Sequence, residues 1–139
     1  MKKFVTFALA ACIGAALIPA AACTQKTDRT SYDITCSYSP EERTLTAECK
    51  VKYYNDGAPT DCIKFNLYGN AYRQNALYKP VSGELSGRAY YAGMSYGSMT
   101  VENVEGGTFE VCGEDENILE VTLPQTLESG ESAEIVINY

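Results

Sequence analysis

The chain of 139 residues contains no histidine. That one absence removes Ser-His-Asp and Cys-His catalysis and every His-based zinc site, including the H-E-x-x-H pattern of metallopeptidases. Cys-x-x-Cys pairs are missing as well, so cysteine zinc sites have no usable spacing. Basic residues are scarce, with 11 Lys and Arg against 18 Asp and Glu. An acidic chain of this kind is unsuited to nucleic acid and to charge-driven binding of anionic membranes. After residue 22 no apolar run is long enough to span a bilayer. Long stretches with helical periodicity are also missing, and the prediction is therefore all-β.

The N-terminus is read separately. Lys2 and Lys3 precede a nearly unbroken apolar run, Phe4 to Ala22, which ends in Ala20-Ala21-Ala22 directly before Cys23. This is the pattern of an export signal over residues 1–22. A Cys immediately after small residues further predicts lipid attachment at Cys23, although Ala20 stands where Leu is usual. Export would leave 23–30 as a linker and 31–139 as one domain, with nine basic against 18 acidic side chains, a net charge of −9. The expected location is extracytoplasmic, with the lipid at Cys23 as the only membrane attachment.

Period-two alternation fills the rest. In TLTAECKVKY, Leu45, Ala47, Cys49, Val51 and Tyr53 share one face and the polar residues the other. Tyr32, Ile34, Cys36 and Tyr38 alternate in the same way, and Pro40-Glu41-Glu42-Arg43 between the two runs reads as a turn. Residues 31–54 therefore predict an antiparallel hairpin. Further strands are expected in CIKFNLY, SMTVENV, TFEVCG, ILEVTLP and SAEIVINY, separated by turns at Asn55-Asp56-Gly57, Glu105-Gly106-Gly107 and GEDEN. NAYRQNALY predicts a helical turn, and the Gly-, Ser- and Tyr-rich stretch 81–97 a long surface loop. About seven short strands at this spacing predict an antiparallel β-sandwich.

Candidate chemistry is sparse. Asp56, Asp61, Glu114 and Glu116 sit in turn-like segments, where carboxylates are ordinarily solvated, so a catalytic pair has little support. GEDENI lacks the length and alternating oxygen ligands of a calcium loop. Of the 11 tyrosines, those on inward strand faces, such as Tyr32 and Tyr53, are expected in the core. Tyr90, Tyr91 and Tyr96 fall in the loop and are the candidates for contact with a partner. Four cysteines follow Cys23, an even number in an exported chain, which predicts disulfides. Three pairings are possible. A turn centred on Glu42-Arg43 would set Cys36 opposite Cys49 on the inward face. Cys62 and Cys112 run out of phase with their apolar neighbours and share the outward face. The expected bridges are Cys36–Cys49 and Cys62–Cys112.

The ordered set YDITCSYSPEERTLTAECKVKYYN, FNLYGNAYR, AGMSYGSMTVENV, GEDENILEVTLP and LESGESAEIVINY resembles the N-terminal domain of alanyl-aminopeptidase-type zinc metallopeptidases. In that family a strand ends in a Leu-Tyr-x-Asn-Ala-aromatic run, matched by Leu67 to Tyr72. An Ile-Leu-x-Val-x-Leu-Pro strand and a Leu-x-x-Gly-Glu turn follow, matched by Ile118 to Pro124 and Leu127 to Glu131. The resemblance implies a non-catalytic β-domain packed on a downstream catalytic domain of the same polypeptide. Zinc and the catalytic residues would belong to that domain, since no position here matches them. It stops at Tyr139, within the last third of the family's domain, which implies a fragment or a truncated relative. The alternative is a non-enzymatic surface lipoprotein carrying an immunoglobulin-like binding module.

Overall fold

The alternating residues 31–54 form the hairpin: β1 is Ser31–Ser39 and β2 is Thr44–Tyr54, with Pro40 to Arg43 between them. Five further strands follow in the computed structural model, which describes residues 28–139. They are β3 (Thr60–Asn66), β4 (Asn103–Glu105), β5 (Thr108–Cys112), β6 (Ile118–Leu127) and β7 (Ser132–Asn138). All pairings are antiparallel, in a four-stranded sheet of order β1-β2-β7-β4 and a three-stranded sheet of order β3-β6-β5. The expected all-β, antiparallel, seven-stranded architecture is therefore what the chain adopts. Residues 1–22, the expected export signal, and Cys23, the expected lipid site, lie outside the described residues. The expected linker ends in order, because the Tyr54 N–H donates to Thr30 Oγ1 at 3.1 Å.

Alternation becomes a core because cross-strand partners share a face. On the larger sheet Cys49 lies opposite Ile137, Val51 opposite Ile135, and Val104 opposite Ile137. Leu119, Val121, Leu123 and Ile63 face them from the smaller sheet, with Leu67 and Leu127 closing the ends. Leu119, Ile135, Val51 and Val121 are fully buried, and burial of such a side chain stabilises by roughly 1.5–3 kcal/mol.

The turn from β4 to β5 crosses from one sheet to the other. Gly106 takes φ 95°, and a Cβ there would run into the Glu134 carbonyl. At Gly107 a Cβ would lie 2.5 Å from the Thr122 carbonyl oxygen. With β4 and β5 joined in this way, the three-stranded sheet covers β4, β7 and β2, and burial stops at β2. The inward row of β1 is left uncovered: Tyr32 is 58% exposed, Ile34 55% and Tyr38 60%, and Leu45 beside them on β2 is 51% exposed. Tyr32, expected in the core, has the expected direction but no sheet above it. Tyr53 packs against the core as expected.

Candidate functional site

Between β3 and β4 the chain leaves the sandwich for residues 67–102 and returns. The exit is the FNLYGNAYR string. Leu67 is buried, and its N–H donates to the Asn117 carbonyl at 2.8 Å. Tyr68–Tyr72 then forms a 3-10 turn that carries Asn70 into the interior. Gly69 passes close to Met99, since a Cβ there would sit 3.0 Å from the Met99 Cβ. The Asn70 carboxamide works at both ends: its Nδ2 donates to the Glu116 carbonyl, and its Oδ1 accepts the Met99 N–H at 2.7 Å. The Gly97 N–H donates to the Tyr72 carbonyl at 3.2 Å. The excursion is thus pinched shut at its neck.

The turn GEDEN, residues 113–117, supplies the other half of this clamp. Glu116 is left-handed, with φ 52°, a conformation that costs a side chain of its type and aims its carbonyl at Asn70. Its carboxylate pairs with Arg73 at 2.7 Å. Asp115 is buried, and its two oxygens accept the Leu77 N–H at 2.7 Å and the Tyr78 N–H at 3.0 Å. These two backbone donors hold the carboxyl below its ordinary range, assisted by Arg73 and Lys79. Asn55 plays the corresponding part at the other end of the sandwich. Its Nδ2 donates to the Ala58 and Leu127 carbonyls, and its Oδ1 accepts the Gly57 N–H.

Beyond the neck a short helix, Ser86–Ala89, follows a 3-10 turn at Gly83–Leu85. A cleft of about 270 Å³ opens against the strand exit, lined by Tyr72, Arg73, Lys79, Tyr90, Met94 and Tyr96. Two of the three loop tyrosines singled out in the sequence meet here. The third, Tyr91, does not line the cleft and is 89% exposed. Lys79 Nζ donates to the Gln74 carbonyl at 2.8 Å, and Arg73 is held by Glu116. Both cations at the cleft are therefore anchored at its wall. The cleft thus combines aromatic faces and their polar tips with fixed cations.

The candidate carboxylates divide between the two ends of the sandwich, with Asp56 following Asn55 at one end and Glu114 and Glu116 at the other. Asp61 stands where β3 meets the end of β6, whereas Glu114 and Glu116 precede the start of β6. A strand of this length separates them by roughly 20 Å. Among the described residues no group of three or more Cys, Asp or Glu is placed to hold a metal ion.

The expected disulfides do not form, and Cys36, Cys49, Cys62 and Cys112 are all free thiols. The hairpin register sets Cys36 opposite Ala47 and Cys49 opposite Ile34. The two thiols share the inward face but lie diagonally, because the turn centres on Glu41-Glu42. Arg43 adopts φ 54° to close it. Tyr139, opposite Ala47, lies near both; burial raises its phenol, followed by the Cys49 and Cys36 thiols. Cys62 and Cys112 face outward together as expected, but β6 runs between their strands. Cys62 lies opposite Thr122 and Cys112 opposite Ile118. Two strand spacings and four residues along β6 amount to about 16 Å, well beyond disulfide reach. Instead Cys62 lies beside the Lys64–Glu120 ion pair of 2.7 Å. Burial and then the Glu120 carboxylate raise its thiol.

Asn70, Asp115 and Asn55 carry this arrangement; the sequence marked Asn70 only as part of the strand-exit run and Asn55 and Asp115 only as turn residues. Comparison with protein-family models, with curated proteins and with solved structures finds no match to this chain.

Proposed function

We propose that the chain is the N-terminal, non-catalytic β-domain of an exported, lipid-anchored zinc aminopeptidase, and that it has no peptidase activity alone. The observation that carries this reading is the Leu67-Tyr68-Gly69-Asn70-Ala71-Tyr72 run. Two positions the family pattern specifies have separate duties at the strand exit: Leu67 in the core and Asn70 joining Met99 to Glu116. A string so used is what a domain family would hold in common without its being catalytic. In this reading zinc and the peptide substrate belong to a downstream catalytic domain, and the loop with Tyr90, Tyr91 and Tyr96 contacts that domain. The membrane is reached through lipid at Cys23, and nucleic acid is no partner of so acidic a chain.

Antiserum raised against this domain tests the proposal on native membranes. A polypeptide several times larger than 15.2 kDa, co-purifying with zinc-dependent release of N-terminal residues, is the expected result. A mature protein no larger than this chain, without such activity, would reject it. A second reading, a surface lipoprotein with an immunoglobulin-like binding module, draws its support from the Tyr-lined cleft. That reading predicts the smaller species.

A further inference from the structure

We infer that the edge of β1, unpaired among the described residues, pairs with β1 of a second copy of this chain, about a two-fold axis through Thr35. Among the described strands, the other three sheet edges carry features that discourage pairing. β4 has three residues, β5 has five and includes Glu110, and β3 carries Asp61, Lys64 and a bulge between Thr60 and Cys62. Shortness, charge and bulges are how proteins protect sheet edges. β1 is the least protected, with Asp33 as its single charge. It runs for nine residues in unbroken register with β2, without proline, lysine or bulge, and its apolar row is uncovered.

The occupant follows from the strand itself. Ser-Tyr-Asp-Ile-Thr-Cys-Ser-Tyr-Ser reads nearly the same in both directions about Thr35. A two-fold interface must complement itself, and antiparallel pairing about Thr35 does so. Tyr32 meets Tyr38 of the second copy, Ile34 meets Cys36, and the lone charge, Asp33, meets Ser37. No like charges oppose one another. The apolar rows continue across the axis, with Leu45 and Tyr38 running into Tyr32 and Val51 of the second copy.

Hydrogen bonding agrees. Ala47 exchanges both backbone bonds with Tyr139, at 2.6 and 2.9 Å, so its N–H and C=O point away from β1. Cys36, opposite Ala47, is therefore in a non-hydrogen-bonded pair, and its own N–H and C=O point to the free edge. By alternation the same holds for Tyr32, Ile34 and Tyr38. These are the residues that pairing about Thr35 sets opposite one another, so every outward donor from Tyr32 to Tyr38 gains an acceptor. Thr35 faces Thr35 of the second copy in a close, non-hydrogen-bonded pair.

Full-length protein in a Cys36→Ser background tests the register. Under mild oxidation, Thr35→Cys should give a disulfide-linked dimer. Asp33→Cys should not cross-link alone but should do so when mixed with Ser37→Cys chains. Cross-linking of Thr35→Cys no faster than that of the surface control Glu128→Cys, or of Asp33→Cys alone as fast as Thr35→Cys, would overturn the pairing. Light scattering supplies the second arm. The unaltered chain should form a concentration-dependent dimer, and Ile34→Lys should be monomeric with its strand circular dichroism kept. A monomer throughout, a dimer that survives Ile34→Lys, or assemblies larger than two would reject it. If Ile34→Lys fails to fold, the cross-linking arm decides.

Discussion

Asn70 and Glu116 lie 46 residues apart in the chain, and the side-chain amide of one donates to the backbone carbonyl of the other. The same Asn70 side chain also receives the Met99 N–H. Asn70→Ala therefore leaves one donor and one acceptor without partners in a partly buried place. Each such group costs about 1–3 kcal/mol. A loss of roughly 2–3 kcal/mol in urea unfolding is expected, and Asn70→Asp should also be destabilised, because its carboxylate still accepts from Met99 but has no proton to give the Glu116 carbonyl it would face. Full stability in Asn70→Ala would show that the neck is held by other contacts.

Acid should loosen the excursion through Asp115. Its carboxyl is held below its ordinary range by the Leu77 and Tyr78 amides. As pH falls, the unfolded chain takes up its proton first, so stability is complete above the ordinary aspartate range and is lost as pH drops through the depressed folded value. Amide exchange at Leu77 and Tyr78 should remain protected at mildly acidic pH and become fast in stronger acid. Asp115→Asn should show no such step, and an unchanged step in that variant would assign it elsewhere.

Thiol labelling of dilute folded protein should proceed from Cys36, which is exposed, through Cys62 and Cys112, to Cys49, which is buried and whose thiol is raised by burial and then by Asp33. All four should label after denaturation without a reductant. Recovery of a peptide pair joined through any two of them would contradict the free-thiol state.

Gly107 and Gly57 offer a matched pair of tests. Alanine at Gly107 would place its methyl 2.5 Å from the Thr122 carbonyl and 3.0 Å from Val121, with backbone as the obstacle. A destabilisation of about 1–3 kcal/mol is expected from such overpacking. At Gly57 the nearest atom is 3.5 Å away, and Gly57→Ala should stay within about 0.5 kcal/mol of the parent. Thermal unfolding of the two variants side by side checks both values.

Strand existence and facing were readable because periodicity reports which way a side chain points. The β1–β2 hairpin, the inward row Cys49, Val51, Ile135 and Ile137, and the outward direction of Cys62 and Cys112 all follow from alternation. Periodicity carries no information about which strand is the neighbour, however, and β6 separates the two outward cysteines. It also leaves hairpin register to the turn. Centring on Glu41-Glu42 rather than Glu42-Arg43 keeps every residue on its face while moving Cys36 from Cys49 to Ala47. SMTVENV reads as a full strand, yet only Asn103–Glu105 pairs with β7. Met99 and Val101 are instead held by packing against the core. Asp115 and Asn70 look like ordinary turn residues, because their burial depends on chain 37 to 46 positions distant.

The pinched neck at Asn70, Tyr72, Gly97 and Met99 also bears on how such a protein can diversify. Contacts that fix the two ends of the excursion lie at its base, and the Asp115 pin reaches only as far as Tyr78. The interval from Lys79 to Tyr96 is thus a cassette in a socket, whose length and wording can be rewritten while the sandwich beneath keeps its own folding instructions.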